Sequence, residues 1–174
     1  MQVASLRSDG EEELQMVIFR LGDEIFGVDV HQVREIIKIK EYTRIPNAPP
    51  YIRGVINLRG QITVIIDLHK IFNLHSESVE STDSRIIIAD AKDSNVGIMV
   101  DAVLGVTRIQ HKNVEPPPLL SKSKSLEFIK GIAKHGEDLV IIIDLEQLLK
   151  HIKDTEVSTS EIEGGATTVK SSSS

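Results

Sequence analysis

The chain has 174 residues and a formal charge of −6; 40% of its residues are hydrophobic, six are aromatic and none is Cys. The lack of Cys excludes disulfides, thiolate nucleophiles and Cys-based zinc or iron–sulfur sites. The charge sits at the ends: residues 1–13 and 154–174 carry −3 each, and residues 14–153 are neutral with 18 acidic and 18 basic side chains. A neutral, aromatic-poor body lacks the basic patches and stacking rings that nucleic acid requires. No apolar run exceeds six residues, against about 20 for a membrane-spanning helix. The opening MQVASLRSDGEEE has no signal-peptide core. A cytoplasmic protein without direct membrane insertion is expected. The composition includes 24 Ile and 16 Val, β-branched residues that suit pleated strands, so it predicts an all-β fold.

In chain order, residues 1–13 read as a flexible acidic tail. Leu14–Leu21 and Glu24–Val30 flank Gly22-Asp23, a hairpin signal. His31–Ile36 has apolar residues at helical spacing and predicts one helical turn, after which Ile37–Lys40 alternates as a half-buried strand does. Pro46–Pro50 breaks regular structure. Val55–Leu58 and Ile62–Ile66 form a second hairpin across Arg59-Gly60, and Asp67 is a candidate N-cap for a short helix from Leu68. His75–Ser84 is a polar link, and Arg85–Asp90 and Val96–Val100 restart the strand pattern. Asp144 is a second candidate N-cap, with Gln147 completing a capping box, for a C-terminal helix over about 145–153. Residues 154–174, with 12 Ser, Thr or Gly, read as a disordered tail.

The chain contains a duplication. Tyr51-Ile-Arg-Gly-Val-Ile-Asn-Leu-Arg-Gly-Gln-Ile-Thr-Val-Ile-Ile-Asp-Leu68 aligns without gaps on residues 128–145 at an offset of 77, and Gly27–Ile36 aligns on Gly97–Val106 at an offset of 70. The difference places a seven-residue insertion around Ser121–Ser125. Five short strands per unit fit a small barrel, because closure removes exposed edges. Consecutive copies predict one barrel over about 14–74 and another over about 85–145, each followed by a short helix.

Signatures of catalysis are missing. The chain has no phosphate-binding glycine loop, nucleophile elbow or zinc-protease motif. Its six His residues are scattered, and His69, like the others, is expected at the surface; no catalytic residue, metal ligand or cofactor is predicted. Asp67 and Asp144 share a repeat position, where helix capping explains both. One asymmetry points to binding: the first hairpin tip is Asn57-Leu58-Arg59-Gly60, and its counterpart is Lys134-His135-Gly136-Glu137. Arg59 offers a planar fork of donors suited to a partner's carboxylate or carbonyls.

Leu21–Val30, Val33-x-Glu35-Ile36, Arg44–Pro49, Tyr51–Gly60 and Ile65–Leu68, then Val96–Val106 and Phe128–Ile132, together resemble the CheW family of chemotaxis coupling proteins over about residues 14–150. The resemblance implies two SH3-like five-stranded β-barrels around a shared hydrophobic core, and no catalysis. It implies an adaptor in a signalling array, with two partners: the regulatory domain of a CheA-type histidine kinase and the cytoplasmic tip of transmembrane chemoreceptors. A docking or regulatory module of another two-component complex on the same fold is the alternative. Carried over by motif position, Val33, Glu35, Gly54 and Arg59 fall at partner-contact places. Ile98, Met99 and Val103 fall on a stretch resembling the wall of the receptor groove. Tyr42 departs from the family pattern, which commonly has a small β-branched residue there.

Overall fold

The computed structural model describes residues 12–74, 80–91, 94–117 and 127–152. Among these residues, eleven strands form two sheets. β1 (Glu13–Leu21), β2 (Glu24–Asp29), β8 (Ala102–Gln110), β9 (Val114–Glu115), β10 (Ile129–His135) and β11 (Asp138–Ile143) lie in the order β8-β1-β2-β11-β10-β9. The second sheet contains β3 (Val33–Lys38), β4 (Ile52–Leu58), β5 (Gln61–Asp67), β6 (Arg85–Ala91) and β7 (Ser94–Val100), in the order β3-β6-β7-β5-β4. The first is called barrel A below, and the second barrel B. A short helix α1 (Leu68–Ile71) follows β5, and a second, α2 (residues 145–152), follows β11. The expected hairpins at Gly22-Asp23 and Arg59-Gly60 both form. His31–Ile36 does not make a helical turn: Val30–Gln32 is a single 3₁₀ turn, and the chain is already extended at Val33. The apolar spacing there comes from a strand whose register shifts between Val33 and Glu35. The predicted tails fall almost wholly outside the described residues, and the Ser121–Ser125 loop does so entirely.

The barrels are not consecutive copies. The hairpin that opens each repeat pairs with the other repeat's sheet: β2 runs parallel to β11, and β7 runs parallel to β5. Barrel B is therefore residues 33–100, and barrel A combines residues 13–29 with 102–143, in place of 14–74 and 85–145. The chain crosses between sheets through Val30–Gln32 and again through Asp101 alone.

Burial follows from this arrangement. Ile56, Leu58, Ile65, Ile86, Ile88 and Met99 fill barrel B, while Met16, Ile18, Ile109, Ala133, Val140 and Ile142 fill barrel A. The alternate residues of the same strands, including Val17, Phe19, Leu21, Ile66, Ile87, Val96 and Ile98, form a third cluster between the barrels with Leu145, Leu148, Leu149 and Ile152 of α2. Strands buried on both faces need no polar alternation, which accounts for runs such as Ile86-Ile87-Ile88. The caps hold as predicted: Asp67 Oδ1 accepts from His69 N at 2.9 Å, and Asp144 Oδ1 accepts from Gln147 N at 3.2 Å. The reciprocal half of the capping box is unnecessary, because Asp144 N already donates to Phe128 O at 2.7 Å.

Candidate partner-docking site

Arg59 and Gly60 form the β4–β5 turn with positive φ at both residues, +52° and +85°. That is the hairpin geometry that matches strand twist, and Gly or Asn normally fills it. Asn57 Oδ1 braces the turn by accepting from Gly60 N at 2.7 Å. Holding the long Arg59 side chain there costs backbone strain, of the kind that collects at functional positions. Its guanidinium makes a two-pronged ion pair with Glu35 on β3: Nη2 donates to Oε1 at 2.8 Å, and Nη1 donates to Oε2. The Arg59 side chain remains 72% exposed and Glu35 24%. The hydrogen bond from Arg59 holds the Glu35 carboxyl below the usual carboxylate range. At the corresponding tip of barrel A, His135 Nε2 lies 3.4 Å from Thr107 Oγ1.

Around this pair, Lys40 Nζ donates to Asn57 O at 3.0 Å, and Arg34 pairs with Asp90 at 3.4 Å. Ile62, 63% exposed, lies on the same hairpin as Arg59, and Ile36, 38% exposed, follows Glu35 in the chain. The result is an exposed charged fork held by a hairpin; Ile36 alternates with Glu35 onto the opposite face of β3.

Val33 and Val103, equivalent positions in the two repeats, are half-buried at the margin of the core between the barrels. They mark where each barrel edges that core. The other three candidates are interior. Ile98 is 0% exposed and faces the core between the barrels; Met99 is 1% exposed and points into barrel B. Neither side chain offers surface to a partner, so both assignments are corrected: doubly buried strands hide both faces. Gly54 is also buried. A Cβ there would lie 2.4 Å from Thr43 O, and the pairing of β4 with β5 shifts register between Ile52 and Gly54. Gly131 does the same in barrel A, where a Cβ would approach Glu115 O at 2.7 Å. Gly54 is therefore a closure residue, not a contact.

Several residues of interest were not singled out from the sequence. Leu104, Val106 and Leu139 are 53%, 58% and 59% exposed on barrel A; Leu104 and Val106 line an open cavity of about 340 Å³ with Ile18, Ile25 and Val140. Apolar residues on both faces of β8 were the available signal. Tyr42, the departure noted above, takes its hydroxyl into a network: it donates to Glu80 at 2.9 Å and accepts from Arg53 Nη2 at 3.1 Å. Among the described residues, no three His, Asp or Glu side chains are grouped to hold a metal ion, and no helix is long and apolar enough to cross a membrane.

The family model for the CheW-like domain matches residues 15–153. The chain belongs to the CheW-like family. The chemotaxis protein CheW of Treponema pallidum is 36% identical over 141 residues, covering 79% of this chain and 83% of that one. The chemotaxis protein CheW of Helicobacter pylori is 35% identical over 147 residues, covering 84% and 87%. Among solved structures, the scaffolding protein CheW of Thermoanaerobacter tengcongensis superimposes with a TM-score of 0.72 at 39% identity, over 79% of this chain and 88% of that one. The all-β double barrel of CheW-like domains is thus the fold of this chain.

Proposed function

We infer that this CheW-like chain is a non-enzymatic chemotaxis adaptor that couples chemoreceptors to a CheA-type histidine kinase, so that receptor state controls kinase activity. The observation that carries the reading is the braced Arg59–Glu35 pair: it stands exposed on a strained turn of barrel B, and among the described residues the equivalent tip of barrel A has no ion pair. A strained, exposed cation that the fold does not need is best explained by a partner. Val33 and Val103 border the junction between the barrels, where an amphipathic receptor helix could lay its apolar anchors, as in helix-in-groove recognition. Kinase docking then uses the Arg59 hairpin, which also carries the exposed Ile62. The adaptor works in the cytoplasm and reaches the membrane only through its receptors. Reconstituted receptor–kinase arrays test this directly. The wild-type chain is expected to activate the kinase, and the folded Arg59→Glu variant is expected to lose that activation. Full activation by Arg59→Glu would overturn the assignment.

A further inference from the structure

Asp101 is the single residue between β7 of barrel B and β8 of barrel A. Its carboxylate joins three elements. Oδ2 accepts from Gly22 N, in the β1–β2 turn, at 2.6 Å, and it lies 3.1 Å from His69 Nε2 on α1, with Oδ1 at 3.3 Å. Its own amide donates to Arg20 O at 3.0 Å. The His69 side chain is 2% exposed and that of Asp101 15%, so the pair is shielded from water and its hydrogen bonds hold more strongly than surface ones. His69 is in turn fixed by Asp67, which ends β5, the strand that starts two residues after Arg59. Val103, at the junction between the barrels, is two residues beyond Asp101. A continuous set of bonded elements therefore runs from the Arg59 hairpin, along roughly 23 Å of strand, through His69 and Asp101 to Val103.

The duplication separates a functional link from a structural one. The positions equivalent to Asp101 and His69 are His31 and Glu146, by the same offsets of 70 and 77. Among the described residues the two are not joined to each other: His31 is 78% exposed and bonds Asp29 at 3.0 Å, and Glu146 is exposed. Barrel A closes without it, so closure of a barrel does not require it.

We propose that His69 and Asp101 are positioning residues that couple the two docking surfaces, so that occupation of the junction near Val103 alters the hold on the kinase at Arg59. This rests on the adaptor reading above. The test compares wild type with His69→Gln and Asp101→Asn, using a soluble cytoplasmic receptor fragment and the regulatory domain of the CheA-type kinase. Affinity for each partner alone is measured by calorimetry, and kinase affinity is then measured again at saturating receptor fragment. In both variants each partner alone should bind within twofold of wild type. The factor by which the receptor changes kinase affinity should shrink about fivefold or more, the scale of ordinary coupling between sites. An unchanged factor in both folded variants overturns the proposal, and so does parallel weakening of each partner alone, which marks a merely structural role. A wild-type chain that binds both partners without coupling overturns this inference and leaves the adaptor reading standing. A wild-type chain that binds neither overturns both.

Discussion

Arg59 occupies a backbone conformation that suits Asn or Gly, yet it is the residue whose side chain reaches outward and across to Glu35. Because exposed ion pairs contribute little to stability, Arg59→Asn should melt at or above the wild-type temperature while losing kinase activation. A large drop in melting temperature would show the residue to be structural. The same pair sets a pH dependence. Glu35 is held below the usual carboxylate range chiefly by the Arg59 hydrogen bond, which outweighs the opposing desolvation; the charges of Arg59 and Arg34 add smaller lowering effects. A lowered folded value means that the stabilisation is present above the ordinary Glu value of about 4.3, and is lost as pH falls through the lower folded value. An NMR titration of Glu35 should therefore show a lower midpoint in wild type than in Arg59→Asn. Equal midpoints would contradict the linkage. Gly54 is the opposite case, a motif position whose role is steric. Gly54→Ala drives a methyl against Thr43 O, and should destabilise by about 2–3 kcal/mol, as overpacking does, measurable by urea denaturation. A neutral effect would return Gly54 to the partner-contact candidates.

At the scale of elements, most of the assignment was legible. Both turn signals and both Asp caps lie where pattern and turn chemistry put them, as do the strands flanking the two turns; the strand expected over Ile37–Lys40 instead runs over Val33–Lys38, and β8 had no expectation. Segment 31–36 reads as a helical turn because a strand with a shifted register spaces its apolar residues irregularly, and a few such residues mimic helical spacing. His69 is expected at the surface because the one carboxylate near it in sequence, Asp67, is taken up as a helix cap; the partner of its ring, Asp101, is 32 residues away and arrives only through the fold. Doubly buried strands also explain the loss of Ile98 and Met99 as contact residues: a run that hides both faces gives no alternation from which an outward face can be read. Within such a strand, Ile65→Asp places an unpaired charge inside barrel B and should abolish folding. A native-like circular dichroism spectrum and melting point for that variant would contradict the assigned core.

For the whole molecule, the decisive feature is the core between the barrels, which takes residues from β1, β2, β5, β6, β7, β11 and α2 together. Neither barrel can lose its partner without exposing that face, so unfolding should be one cooperative transition with calorimetric and van't Hoff enthalpies equal. A fragment of residues 33–100, contiguous in sequence and complete in its sheet, should fail to fold alone, because Ile66, Ile87, Val96 and Ile98 would face water. Two separate thermal transitions, or a folded fragment, would show the barrels to be independent. The sequence by itself determined the all-β class, the duplication, the turns, the caps and the Arg59 asymmetry, since each is local: periodicity, turn chemistry and comparison of two copies need only neighbouring residues. Only the tertiary structure decided that the copies exchange their opening hairpins, that Ile98 and Met99 are interior, and that His69 meets Asp101. Alike segments reveal a repeat, but which edges pair is set by sheet closure and by the length of the crossovers, and those are properties of the folded chain.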